Sequence, residues 1–256
     1  MNYRNQILHG EALATLQNLP TGLVDAIITD PPYSSGGAFR GDRMSSTNSK
    51  YVLTRQQDQR PDFAGDNRDQ RGFGYWCALW LSECLRVAKP GAPIVLFTDW
   101  RQLPTLTDAL QAGGWVWRGV CVWDKTEGAR PTLGRFTNQC EYMVWGSAGE
   151  MPLDRLDEAQ RRTLPGVFRI PVRQADKHHV TGKPTDLMRQ AVKICSPGGL
   201  IMDPFAGSVS TLVGARLEGY DYLGCELVEH YVQVCRQRLG LVEAAVPNAG
   251  PSTLFT

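Results

Sequence analysis

The 256-residue chain has little excess charge of either sign, with 27 Lys and Arg against 26 Asp and Glu for a net of +1. That balance excludes the uniform basicity of a histone-like binder and leaves room for a local basic cleft. Its seven cysteines (77, 84, 121, 140, 195, 225 and 235) are odd in number and include no Cys-x-x-Cys pair. They read as reduced core thiols, with neither a disulfide framework nor a zinc site, and no metal is expected. No apolar run reaches the roughly 18 residues needed to span a membrane. No signal-peptide pattern opens the chain, so a cytoplasmic protein with no membrane partner is expected. The Gly-x-Gly-x-x-Gly fingerprint of a pyrophosphate cradle is also missing, which argues against a nicotinamide dehydrogenase.

Apolar residues make up 42% of the chain, enough for a sizeable core in one domain with insertions. Short apolar runs that read as strands fall at 6–9, 24–29, 93–98, 115–123, 140–145, 200–202 and 222–225. Helical spacing is found at 12–19, 75–88, 103–112, 185–195, 210–218 and 228–239. Strands alternating with helices imply an α/β fold with a mostly parallel sheet and ligands at the carboxyl ends of its strands. Residues 34–74 lack periodicity and hold seven cations (Arg40, Arg43, Lys50, Arg55, Arg60, Arg68, Arg71) against five aspartates. They read as a lid or functional loop. Residues 147–178 are polar and less regular and read as an insertion, and 244–256 as a tail. Segments 1–33, 75–146 and 179–243 then form the main α/β domain.

Asp30-Pro31-Pro32-Tyr33 closes the 24–29 run. Two prolines cannot donate backbone hydrogen bonds and hold an extended turn, so nearby carbonyls are free to accept. Asp30 adds an anionic acceptor and Tyr33 a face for stacking. Acceptors beside an aromatic face suit a planar ring with an exocyclic amine, such as adenine.

Asp203-Pro204-Phe205-Ala206-Gly207-Ser208 sits at a strand-to-helix turn, where Gly207 lets the backbone approach a ligand closely. Glu226 ends the next strand, 23 residues later, where doubly wound nucleotide folds place an acid on ribose hydroxyls. An acidic Asp203 repels phosphate and attracts an amino group. A nucleoside with a cationic amino-acid tail, S-adenosylmethionine, fits that pair.

With both constellations in view, the chain resembles the amino-group DNA methyltransferases, N6-adenine and N4-cytosine, in their permuted β-type order. There the catalytic Asp-Pro-Pro-Tyr motif comes first and the cofactor loop last. Ile7-Leu8-His9-Gly10-Glu11-Ala12-Leu13 resembles the block before the catalytic strand, with Glu11 where Asp is usual. His179-Val180-Thr181-Gly182-Lys183-Pro184 resembles the family's His-Pro-Thr-x-Lys-Pro. Val209 stands where the family usually has glycine. No Pro-Cys nucleophile of the C5-cytosine enzymes is present.

The resemblance implies a Rossmann-like doubly wound sheet with an antiparallel strand. It implies site-specific methyl transfer from S-adenosylmethionine to adenine N6 of a base flipped from double-stranded DNA, with S-adenosylhomocysteine as product. Asp30, Pro31, Pro32 and Tyr33 are the expected catalytic residues. Asp203 is expected at the methionine amino group with Pro204, Phe205, Ala206, Gly207 and Ser208 around it. Lys183, His179 and Thr181 are expected at the carboxylate, and Asp30 borders the cofactor. Glu226 and Leu227 are expected at the ribose, and Gly10, Glu11 and Ala12 at the adenine. Arg40, Arg43, Arg130, Arg135, Arg169 and Arg173 are candidate phosphate contacts. Recognition is expected from 34–74, 128–138 and 147–177, with a homodimer supplying a second subunit. Asp at the first motif position favours adenine over cytosine N4, where Ser is commoner. An N4-cytosine enzyme, an RNA or protein amine methyltransferase and a catalytically silent DNA-binding regulator remain alternatives.

Overall fold

The structure, a computed structural model, describes residues 2–33, 68–129, 133–151, 163–172 and 182–245. Strands β1 (Gln6–His9), β2 (Ala26–Thr29), β3 (Pro93–Thr98), β4 (Val116–Asp124), β5 (Cys140–Ser147), β6 (Val167–Arg169), β7 (Leu200–Asp203) and β8 (Asp221–Glu226) form one sheet. Its order is β1-β8-β7-β2-β3-β5-β4-β6. Only β5 runs against its neighbours, β3 and β4; the other pairings are parallel. This is the expected mostly parallel sheet with one antiparallel strand.

Strands β2, β3 and β7 are buried along their whole length, because helices cover both faces of the sheet. Alternate residues point to opposite faces, and the two cores follow that alternation. Ile27, Ile94, Leu96 and Met202 enter the core beneath α1 (Ala12–Gln17), α2 (Gln70–Val87) and α3 (Leu103–Ala112). Ile28, Val95, Phe97 and Ile201 face the other core, with Leu187 and Met188 of α4 (Thr185–Ala191) and Ala215 of α5 (Ser210–Leu217). Helix α6 (Glu229–Ala245) closes the β1 edge through Val232, Cys235 and Leu239. Gly224 on β8 is needed there: a Cβ would stand 2.6 Å from Ile7 Cδ1 and 2.7 Å from Leu212 Cδ1. All seven cysteines are free thiols. No helix among the described residues is long and apolar enough to cross a membrane.

Three of the boundaries that differ from the sequence reading bear on the fold. Helix α2 starts at Gln70, so residues 70–74 leave the lid, and Phe73 is fully buried in the core. Gly72 and Gly74 hide the helical pattern; Gly74 allows close crossing, since a Cβ there would lie 3.1 Å from Thr105 Cγ2 on α3. Segment 147–178 is not wholly an insertion, because Val167–Arg169 pairs in parallel with β4 and extends the sheet. Three residues are too few to show a strand period. Helix α6 continues to Ala245, past the expected end at 239, with Tyr222 Oη donating to Glu243 at 2.9 Å. Leu241 on this last stretch is 66% exposed and Val242 alone packs against the core there, too little to show a helical period.

Candidate active site

The direction in which successive strands are added to the sheet reverses between the parallel β7 and β2: α5 leads from β7 outward to β8, and α2 leads from β2 the other way to β3. Such a switch point opens a crevice at the carboxyl ends of the strands. Asp203 ends β7 and Asp30 follows β2, so the two motifs identified in the sequence meet there. Thr29 Oγ1, wholly buried, donates to Asp203 Oδ1 at 2.6 Å and ties the two strand ends together.

On the β2 side, Asp30 accepts from the Tyr33 hydroxyl through Oδ1 and from Lys183 Nζ through Oδ2, the latter at 2.6 Å. Lys183 Nζ also lies 3.0 Å from Tyr33 Oη. Burial pushes the Asp30 carboxyl above the usual range although Lys183 pulls it down. Burial, with Asp30 beside it, holds the Tyr33 phenol firmly protonated. Burial opposes the Lys183 charge, but Asp30 and Glu141 outweigh it and keep the ammonium protonated.

Glu141 and Lys125 belong to the same cluster and were not singled out in the sequence. Lys183 Nζ is 3.2 Å from Glu141 Oε2, and Lys125 Nζ is 2.7 Å from Glu141 Oε1. Burial raises the Glu141 carboxyl, but the two lysines more than reverse it and keep it ionised. A Glu opening an otherwise apolar strand is the signal that could have marked it.

On the β7 side, Asp203 is 1% exposed and also accepts from the Phe205 amide at 3.0 Å. Among the described residues no cation pairs with it, and burial pushes its carboxyl up to about 6 despite hydrogen bonds that pull it down. A buried carboxylate without a cation is an acceptor that an incoming ammonium group would pair with. Pro204, Ala206 and Ser208 are buried, and Phe205 packs edge-on against Trp80 and Trp76 at 5.1 and 5.5 Å. The Ser208 hydroxyl faces Ser210 at 3.5 Å.

Glu226 fixes the loop from its other side. Its Oε2 accepts from the Gly207 amide at 2.8 Å and its Oε1 from the Val228 amide at 2.9 Å. Burial raises this carboxyl against those amides. Gly207 adopts φ +51°, and Val209 adopts φ +65° although β-branched and fully buried. A left-handed valine is strained by about 1–2 kcal/mol and persists only where its surroundings hold it. Gly10 N donates to the Glu226 carbonyl at 3.0 Å, which brings Gly10, Glu11 and buried Ala12 to the same edge. Glu11 caps α1, accepting from the Ala14 amide at 2.8 Å. The Leu227 side chain is 46% exposed.

Lys183, expected at a cofactor carboxylate, pairs with Asp30 and Glu141 in this structure. Arg135 is exposed, and Arg169 is exposed with its Nε 3.2 Å from Asp124 Oδ2. Arg40, Arg43, Arg130, Arg173, His179 and Thr181 lie outside the described residues. Among those described, no three His, Cys, Asp or Glu side chains group as a metal site.

Comparison with known proteins gives the family and the fold. Type II methyltransferase M.HinfI of Haemophilus influenzae is 28% identical over 262 residues, covering 93% of this chain and 69% of that protein. The crystal structure of the M1.HpyAVI–SAM complex superposes with a TM-score of 0.65 at 22% identity, covering 91% of this chain and 98% of its own. The cytosine-N4-specific PvuII DNA methyltransferase has the same fold, with a TM-score of 0.65 at 17% identity over 92% of this chain and 86% of its own. The sequence profile of the N6/N4 methylases, a DNA methylase family, matches residues 24–237. The chain therefore belongs to the N6/N4 DNA methylase family.

Proposed function

We propose that this DNA methyltransferase uses S-adenosylmethionine to methylate adenine N6 of a base flipped out of duplex DNA. The observation that carries the reading is the pair of strand ends at the switch point: Asp30 with its proline turn and Tyr33 on one, and on the other Asp203, a buried carboxylate with no cation beside it among the described residues.

The cofactor would supply a methyl group on a cationic sulfonium. The Asp203 carboxylate would hold its amino group, and Glu226 would orient the ribose through whatever acceptor capacity its two backbone amides leave. The target amine is a poor nucleophile because its lone pair is delocalised into the ring. Asp30 Oδ and the Pro31 carbonyl, accepting its two protons, draw the nitrogen toward sp3 geometry and expose that pair. Tyr33 stacks on the base. As the nitrogen gains carbon it sheds one proton, and Asp30, its basicity raised by burial, is placed to take it. The residues contribute position and electrostatics, with no covalent enzyme intermediate. The amine is paired within a duplex, so the base must leave the stack to reach this crevice.

The likeness to the cytosine-N4-specific PvuII enzyme keeps N4-cytosine as a second reading. Transfer of labelled methyl to unmethylated duplex DNA, with the product nucleosides separated by mass, distinguishes the two. N6-methyladenine that disappears in Asp30→Ala is the expected result; N4-methylcytosine would change the base and keep the mechanism. No label on DNA while cofactor still binds would overturn the reading. A homodimer completes the proposal, and light scattering that shows a monomer both with and without DNA would refute it.

A further inference from the structure

We propose that Glu141 is a positioning residue: it draws the Lys183 ammonium away from Asp30 when the target amine enters. The proposal rests on the amine-methylation reading above.

Each carboxylate oxygen of Asp30 already accepts a hydrogen bond, Oδ1 from the Tyr33 hydroxyl and Oδ2 from Lys183. A target amine that must give a proton to Oδ2 competes there with the Lys183 ammonium, whose charge opposes that transfer. Lys183 is 6% exposed, so moving it off Asp30 with nothing to receive it would strand a buried cation. Glu141 Oε2 removes that obstacle. It is buried and lies 3.2 Å from Lys183 Nζ, yet receives no aligned hydrogen bond among the described residues. A small swing of the ammonium would make that bond and vacate Asp30 Oδ2.

The charges stay matched throughout. Asp30, Lys183, Glu141 and Lys125 form a chain of alternating sign, closed by the 2.7 Å contact of Lys125 with Glu141 Oε1. During transfer the nitrogen–carbon bond forms as the carbon–sulfur bond of the sulfonium donor breaks. The surplus proton on nitrogen passes to Asp30 Oδ2. Asp30 is then neutral, and Lys183 keeps an anionic partner only because Glu141 is there. The reversed direction of β5 makes this possible, because it brings the first residues of that strand to the edge where the parallel strands end. A parallel strand would begin at the opposite edge.

The test is single-turnover methyl transfer at saturating cofactor and duplex DNA, comparing the parent with Glu141→Gln between pH 7 and 9.5. Glutamine keeps the shape and removes the charge. The expected result at pH 7.5 is a rate constant at least 10-fold lower, with Kd for cofactor and for DNA within twofold of the parent. That deficit should shrink as pH rises, because Lys183, left with one carboxylate, gives up its proton more readily and then no longer blocks Asp30. A rate equal to the parent's, a deficit of the same size at every pH, or a loss confined to Kd would overturn the proposal. Should Glu141→Gln fold poorly, Lys125→Gln/Glu141→Gln removes one charge of each sign and carries the same expectations. A parent enzyme that leaves every duplex unmethylated would refute the functional reading itself, a result distinct from an active parent matched by its variant.

Discussion

Replacing Asp203 by Asn should move folding stability and cofactor affinity in opposite directions. The carboxyl is 1% exposed and its pKa stands at about 6 instead of the ordinary 3.8. An acid whose folded pKa is raised binds its proton more tightly when folded. Its stabilising contribution is therefore complete below about pH 4 and is lost as pH rises through about 6. At pH 7.5 the buried charge costs on the order of 3 kcal/mol relative to the unfolded chain. Asparagine carries no such cost and keeps an oxygen for the Thr29 hydroxyl and the Phe205 amide. The cofactor-free variant should thus melt several degrees above the parent at pH 7.5, and the difference should fade toward pH 4. Cofactor binding should weaken, because a hydrogen bond from ammonium to carboxylate contributes about 1.5–3 kcal/mol, or roughly 10- to 150-fold in Kd. In the parent, Kd should also rise about tenfold for each pH unit below 6, since Asp203 must lose its proton to receive an ammonium. Calorimetric titration and thermal unfolding across pH give both quantities. A variant that melts lower at pH 7.5 and binds cofactor as tightly as the parent would refute both the electrostatic reading of Asp203 and its assignment to the amino group.

Val209→Gly should be more stable than Val209→Ala by about 1 kcal/mol in urea unfolding, because both lose the buried side chain and only glycine tolerates φ +65° without strain at this helix N-cap; equal stabilities would refute the strain. Glu226→Gln can accept through only one of its two end atoms, so either Gly207 N or Val228 N loses its partner. It should cost about 1–3 kcal/mol of stability and weaken cofactor binding, both read in one ligand-dependent melting series. Phe136 is fully exposed on the segment joining β4 to β5, the expected recognition region. Phe136→Ser should leave stability within about 0.5 kcal/mol and lower affinity for duplex DNA in a fluorescence titration; unchanged affinity would take this segment out of the DNA interface.

Most of the elements were legible in the chain. The runs at 6–9, 93–98 and 103–112 coincide with β1, β3 and α3 because apolar alternation, buried runs and helical spacing are local properties. So was the siting of Asp30, Asp203 and Glu226, since each closes an apolar run that reads as a strand, which sets it at that strand's carboxyl end. Where local pattern failed, the cause was also local: two glycines masked the start of α2, and β6 is too short to show a period.

Which strand ends would stand side by side was a matter for the tertiary structure alone. Asp30 and Lys183 are separated by 153 positions, and Thr29 and Asp203 by 174. No spacing rule spans such distances; the contacts exist because β2 lies between β7 and β3. Glu141 shows the division most clearly. The sequence determined that it opens a strand, whereas the reversal of β5 put it at the carboxyl edge, beside Lys183. Secondary structure follows from forces between residues a few positions apart. The charge chain that surrounds the Asp30 carboxylate follows from strand order and direction, which the packing of the whole chain sets.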